Sequence, residues 1–265
     1  MPWWFILEAN FHYPAEYYDE DYTIGIPDRG DIPFYKEYAQ KLGSPVLELA
    51  CGTGRILIPI AQTGVECYGL DMSREMLGVC ETKVRALNLK NVRLQCSSMD
   101  DFQYDHKFSL IYIPFRSFQH LLSTEQQMRC LQLVREHLKD DGLFILDVFA
   151  PNIDRLSHYG NKKQGWEKEF SRKNTETEST ITRYYQARAD LAAQIIEVVM
   201  NWEERNAAGV LVARKDANFT LRYIFRYELE HLLIRSGFQP AFFGHFDERP
   251  YDYVSGEMVA VCRKA

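Results

Sequence analysis

Val46-Leu47-Glu48-Leu49-Ala50-Cys51-Gly52-Thr53-Gly54-Arg55 runs from a short apolar stretch into two closely spaced glycines, and Gly69-Leu70-Asp71 ends the next apolar stretch in a carboxylate. The first pattern predicts a β-strand turning sharply into a helix, because glycine allows tight backbone turns and lets a ligand approach where a Cβ would intrude. An acid about 20 residues on, at the end of a second strand, is the arrangement that holds a nucleoside by its ribose hydroxyls. Leu57 stands where the dinucleotide fingerprint Gly-x-Gly-x-x-Gly needs a small third residue, so NAD is disfavoured. The loop also lacks the Lys and Ser/Thr of a phosphate-cradling Walker loop, which favours a cofactor without phosphate.

Working outward, residues 46–150 alternate apolar runs (46–50, 65–70, 92–95, 108–113 and 143–149) with amphipathic stretches, the pattern of βαβ units. Helices are expected over 72–87 and 125–138. The second carries Met128, Leu131, Val134 and Leu138 on one stripe, with Ser123 or Thr124 as its cap. Asp141-Gly142 then predicts a turn. Right-handed crossovers place such strands in one sheet with helices on both faces. Residues 151–225 change character, with Ile196, Val198, Met200 and Trp202 on one face of a period-two run and Phe219, Leu221, Tyr223 and Phe225 on one face of another. An antiparallel β insertion is expected there. A helix over 227–236, stopped by Gly237, and strands at 239–246 and 257–263 then complete the sheet. The α/β domain thus comprises 1–150 and 226–265, with 1–43 as an N-terminal lid segment and the 151–225 insertion covering the substrate site.

The 265 residues carry a net charge of −6, and residues 1–43 hold eight carboxylates (Glu8, Glu16, Asp19, Glu20, Asp21, Asp28, Asp31, Glu37) against Arg29, Lys36 and Lys41. Nucleic acid is excluded as a partner by the lack of a basic excess. The six cysteines show no C-x-x-C and no short Cys/His pairing, so neither zinc nor a disulfide framework is expected. The run at 3–7 is too short for a signal h-region, and no apolar run approaches the roughly 20 residues of a membrane span. A cytoplasmic protein without membrane partners, monomeric or homodimeric, is the expectation.

The same residues resemble the class I S-adenosylmethionine-dependent methyltransferases. The likeness covers 46 to about 151 through Val-Leu-Glu-Leu-Ala-Cys-Gly-Thr-Gly-Arg, Gly-Leu-Asp-Met-Ser-Arg-Glu-Met-Leu and, after the fourth strand, Pro-Phe-Arg-Ser-Phe-Gln-His-Leu. The insertion and Phe225-Arg226-Tyr227-Glu228-Leu229-Glu230 are similar to small-molecule members such as glycine and amino-sugar N-methyltransferases. The resemblance implies a Rossmann-like seven-stranded methyltransferase sheet with its last strand antiparallel, S-adenosylmethionine as cofactor, S-adenosylhomocysteine as product and a small-molecule substrate. It implies that Glu48 orients the glycine loop or meets the methionine ammonium, that Ala50, Gly52 and Gly54 approach that moiety, that Asp71 accepts from the ribose, and that Met72 lies on adenine with Met76 nearby. The place that takes the adenine amino group holds Ser98 beside Met99, with Asp100 or Asp101 as substitutes.

On the acceptor side two readings stand for each residue. His120 is either a capping or core imidazole or, with Phe115 and Arg116 lining the acceptor, the group that takes the substrate proton. Tyr18 and Tyr22, with Tyr13 and Tyr17, either pack in a lid helix or present aromatic faces to the cofactor's sulfonium or a substrate ammonium. Arg183 and Tyr223 belong either to a solvated sheet surface or to a substrate clamp. N-methylation of a small amine is favoured, ahead of O-methylation, a peptide or protein acceptor, and a non-catalytic cofactor-binding regulator.

Overall fold

The computed structural model describes residues 13–25, 29–161, 165–174 and 176–265; the apolar run at 3–7 and the carboxylates Glu8 and Asp28 lie outside them. In chain order the principal elements are α1 (Ala15–Glu20), a π-helical turn (Asp21–Gly25), α2 (Asp31–Leu42), β1 (Val46–Leu49), α3 (Leu57–Ala61), β2 (Cys67–Asp71), α4 (Arg74–Ala86), β3 (Val92–Cys96) and β4 (Phe108–Ile113). A 3-10 turn (Ser117–His120), α5 (Thr124–His137), β5 (Leu138–Phe149), α6 (Ile153–Asn161), β6 (Glu167–Lys173), β7 (Thr180–Asp190), β8 (Ile195–Arg205), β9 (Leu211–Arg222), α7 (Arg226–Arg235), β10 (Phe238–Phe243) and β11 (Glu257–Lys264) follow. They fall into two units: Asp28–Pro151 with Ile224–Ala265, and the described parts of Met1–Pro27 and Asn152–Tyr223.

The first unit holds the expected seven-stranded sheet, ordered β10-β11-β5-β4-β1-β2-β3. Only β11 runs against its neighbours, pairing antiparallel with β5 and β10. The chain passes from β1 to β2 on one side and later enters β4 on the other, so the crevice beyond the carboxyl ends of β1 and β4 is the switch point where open α/β sheets bind ligands. β1 and β4 are buried along their whole length, as parallel strands covered on both faces must be. Leu47, Leu49, Ile111, Ile113, Phe144, Leu146 and Val148 pack into one core cluster, and Val46, Leu110, Tyr112 and Ile145 into the other. That alternation follows from the period of two along a strand.

Helix starts agree with local chemistry. Ser73 accepts from the Met76 N–H, so α4 begins at Arg74 rather than at 72, and Ser123 forms a reciprocal capping box with Gln126 at the head of α5. Asp141-Gly142 was expected as a turn before a strand at 143, but β5 already begins at Leu138. Pairing steps from Phe108 with Leu138 to Leu110 with Leu143, which makes residues 139–142 a bulge.

In the second unit β6-β7-β8-β9 form one antiparallel meander. Ile196, Met200 and Trp202 are buried on one face, with Val198 half-buried. The strand expected to reach Phe225 stops at Arg222, because Glu228 takes the Phe225 N–H at 3.3 Å and Phe225 becomes the N-cap of α7. Helix α6 carried no sequence signal that was read.

Candidate functional site

The glycine loop follows β1 with Ala50, Gly52 and Gly54 at φ of 61°, 53° and 81°, three left-handed residues in five. The Cys51 N–H still pairs with the Leu70 carbonyl at 2.9 Å, after which the chain turns away. Asp71, at the tip of β2, accepts the Gly52 N–H on Oδ2 and the Ser73 N–H on Oδ1, both at 2.8 Å. Burial raises the Asp71 pKa, against the pull of these amides. A Cβ on Gly52 would meet nothing nearer than Asp71 Oδ2 at 4.0 Å, so the loop is open above that glycine. A Cβ on Gly69 would instead strike Leu57 Cδ2 at 2.7 Å and Cys51 Sγ at 2.8 Å. The close helix-to-sheet approach is thus made on β2, where Gly69 receives Leu57, and not by a small residue at 57.

Glu48 lies in the fully buried β1, 2% exposed, and accepts the Tyr112 hydroxyl at 2.9 Å. Desolvation drives its pKa up to about 8 despite that hydrogen bond. Met72, beside Asp71, is 57% exposed, whereas Met76 is buried in the first turn of α4. Ser98 hydrogen-bonds to the Asp100 carboxylate, its carbonyl takes the Asp101 N–H at 3.1 Å, and Met99 packs half-buried against the core. The open Gly52 loop, the acid at the end of β2 and an exposed methionine beyond it fit a nucleoside with an amino-acid tail.

After β4, Phe115 and Arg116 both adopt left-handed backbone, at φ of 57° and 65°, and lead into the 3-10 turn that ends in half-buried His120. Both amides donate to Asp147 of β5, Phe115 to Oδ1 at 2.8 Å and Arg116 to Oδ2 at 3.2 Å. Tyr35 from α2 and Arg29 donate to the same carboxylate at 2.8 and 3.2 Å. Around it, Glu257 pairs with Arg29 and Arg116, and Arg55 holds Asp31 at 3.1 and 2.5 Å. Asp31 is buried, which opposes its charge, yet the guanidiniums keep its pKa below the usual carboxylate value. Asp147, Arg29, Tyr35, Asp31 and Glu257 were all missed from sequence. A lone acid inside Leu143-Phe-Ile-Leu-Asp147-Val-Phe was the available signal.

The remaining expected site residues belong to the second unit. Asp21, fully buried, accepts from Tyr13 at 2.6 Å and from Arg172 and Trp202 at 2.7 Å, and pairs with Arg183 at 3.4 Å. Arg183 also donates to Glu169 at 2.9 Å and lies over the Phe170 ring. At 1% exposure, Arg183 is not the solvated surface residue that one reading expected. Tyr18 and Tyr22 pack 4.7 Å apart, each against Tyr13. Tyr223 is buried and reaches the Leu191 carbonyl at 3.4 Å. No helix among the described residues is long and apolar enough to cross a membrane, and no group of three His, Cys, Asp or Glu among them could hold a metal ion.

Comparison with known proteins agrees with this geometry. Residues 46–142 match the model of a methyltransferase domain family. A demethylmenaquinone methyltransferase of Lactobacillus johnsonii is 31% identical over 56% of this chain and 59% of its own. The dTDP-3-amino-3,4,6-trideoxy-alpha-D-glucopyranose N,N-dimethyltransferase of Streptomyces venezuelae is 31% identical over 39% of this chain and 42% of its own. Among solved structures, the amino pentose methyltransferase CalS10 of Micromonospora echinaspora, with S-adenosylmethionine bound, superposes with a TM-score of 0.71 at 17% identity, covering 97% of this chain and 99% of its own. The chain spans about half the length of the curated relatives it matches.

Proposed function

From the premise that residues 46–142 are a class I S-adenosylmethionine-dependent methyltransferase domain, we propose that the chain methylates the amine nitrogen of a small molecule. The observation that carries the cofactor half is the loop left open above Gly52 and tied to Asp71. When bound, S-adenosylmethionine supplies a methyl group on a cationic sulfur, which a lone pair can displace to leave S-adenosylhomocysteine.

The chain's own part is binding, orientation and proton handling. Asp71 has lone pairs beyond the two that its backbone donors use, enough to accept ribose hydroxyls, and Met72 offers an apolar surface to the base. Glu48, or the loop it backs, meets the ammonium of the methionine tail. Holding an acceptor at near-attack distance supplies about 7 to 11 kcal/mol of the barrier, so positioning is the larger task. An amine must be neutral to attack, and His120 takes its proton. Phe115 and Arg116 line the acceptor side. The choice of nitrogen is supported by the aminosugar N,N-dimethyltransferase relative and the amino pentose methyltransferase neighbour.

The test is incubation of the purified chain with methyl-labelled S-adenosylmethionine and a panel of small amines and phenols. Label on an amine is expected, and His120→Ala should lower kcat by about 10² to 10⁴ with cofactor affinity retained. Label on phenols alone would replace the nitrogen reading with oxygen. Binding without transfer to any acceptor would leave a regulatory cofactor binder.

A further inference from the structure

We propose that Asp147 is a positioning residue that fixes the turn from Phe115 to His120 against β5, and so aims the His120 imidazole; the inference rests on the reading of His120 given above. Two consecutive non-glycine residues in left-handed backbone are sterically disfavoured and persist only where their surroundings hold them. Here the holding is specific. Asp147 is fully buried in a strand whose other interior residues are apolar, and its two oxygens divide four donors between them. Oδ1 takes the Tyr35 hydroxyl and the Phe115 N–H; Oδ2 takes Arg29 and the Arg116 N–H.

Further contacts close the same turn. The guanidiniums of Arg29 and Arg55 both lie against the Phe115 ring, at 4.8 and 4.7 Å from its centroid. Phe118 is buried in the core, and the Gln119 side-chain carbonyl accepts the Phe149 N–H of β5 at 3.0 Å. β5 therefore grips the segment at both ends, with His120 as the next residue after the second grip. A buried carboxylate is costly unless donors satisfy it, and this one spends its acceptors on a turn that carries a candidate proton acceptor.

Asp147→Asn keeps the Oδ1 side and sets an NH2 group against Arg29 and the Arg116 N–H. It should move the 15N imidazole resonances of His120, assigned with His120→Gln in histidine-labelled protein, while the Kd for S-adenosylhomocysteine stays within about twofold. On an amine that accepts label, kcat should fall by about tenfold or more, with no further fall when Asp147→Asn is added to His120→Ala. Unmoved His120 resonances, or two losses that multiply, would overturn the proposal. If His120→Ala keeps full turnover, the proton role fails, while the resonances still report whether Asp147 aims the ring. Should Asp147→Asn not fold, Tyr35→Phe removes one of the four donors and is expected to shift the same resonances by less; no shift would count against the clamp.

Discussion

Desolvation raises the Glu48 pKa to about 8, so its carboxyl is expected to carry a proton at neutral pH in the cofactor-free protein, and binding of the cofactor should expel it. With a pKa of about 8, about nine-tenths of the carboxyls carry a proton at pH 7. A cationic ammonium within a few ångströms lowers such a pKa by about 1 to 3 units. A fall of two units leaves about one-tenth protonated at pH 7, a release of about 0.8 proton per cofactor bound. Calorimetric titration with S-adenosylmethionine in buffers of different ionisation enthalpy measures this directly, as the slope of observed against buffer enthalpy. Glu48→Gln keeps an acceptor for Tyr112 but has no proton to give, so the difference between the two proteins isolates Glu48. The same group sets a stability slope. Its pKa is raised on folding, so its stabilising contribution is whole below its ordinary value of 4.5 and is lost as pH rises through about 8. At about 1.4 kcal/mol per pH unit, Glu48→Gln should gain a few kcal/mol relative to the native chain between those limits. Equal proton release by both proteins would refute the ammonium contact, and parallel stability curves would refute the raised pKa.

Asp71→Ala removes charge-assisted hydrogen bonds worth about 1.5 to 3 kcal/mol and should weaken S-adenosylmethionine about 10 to 100-fold by calorimetry. A Cβ at Gly52 would meet only Asp71 Oδ2, at 4.0 Å, so the cost of Gly52→Val is expected from the φ of 53° and from filling the open loop; a folded variant should show lost cofactor binding as well as a lower Tm. S-adenosylhomocysteine at 100 times its Kd should add about 2.7 kcal/mol of stability in a thermal melt, and NAD none. A shift with NAD alone would overturn the cofactor assignment.

The sheet and its glycine loop were legible because their signals are local. Gly52, Gly54 and Asp71 lie within 20 residues, and the amide-to-carboxylate contact between Gly52 and Asp71 spans 19 positions. The ends of elements were read less well where a side chain decided them: Ser73 delays α4, and Glu228 takes the Phe225 N–H and ends the preceding strand pattern. The Asp147 cluster was out of reach for a different reason. Its partners Arg29 and Tyr35 lie 118 and 112 residues away, so nothing nearby in sequence says which donors a lone buried acid receives. Arg183 shows the same limit, since period-two patterning placed it on a strand face but not against Asp21, 162 positions earlier. That Leu57 packs on Gly69 was likewise out of reach, because it needed the seating of α3 on β2.

A crystal structure of the chain with S-adenosylhomocysteine bound tests the central claim most directly. The ribose hydroxyls are predicted on Asp71, the amino-acid tail over Gly52 towards Glu48, and the sulfur facing the turn that ends in His120. A nucleoside seated away from the carboxyl ends of β1 and β2, with the Gly52 loop untouched, would contradict it.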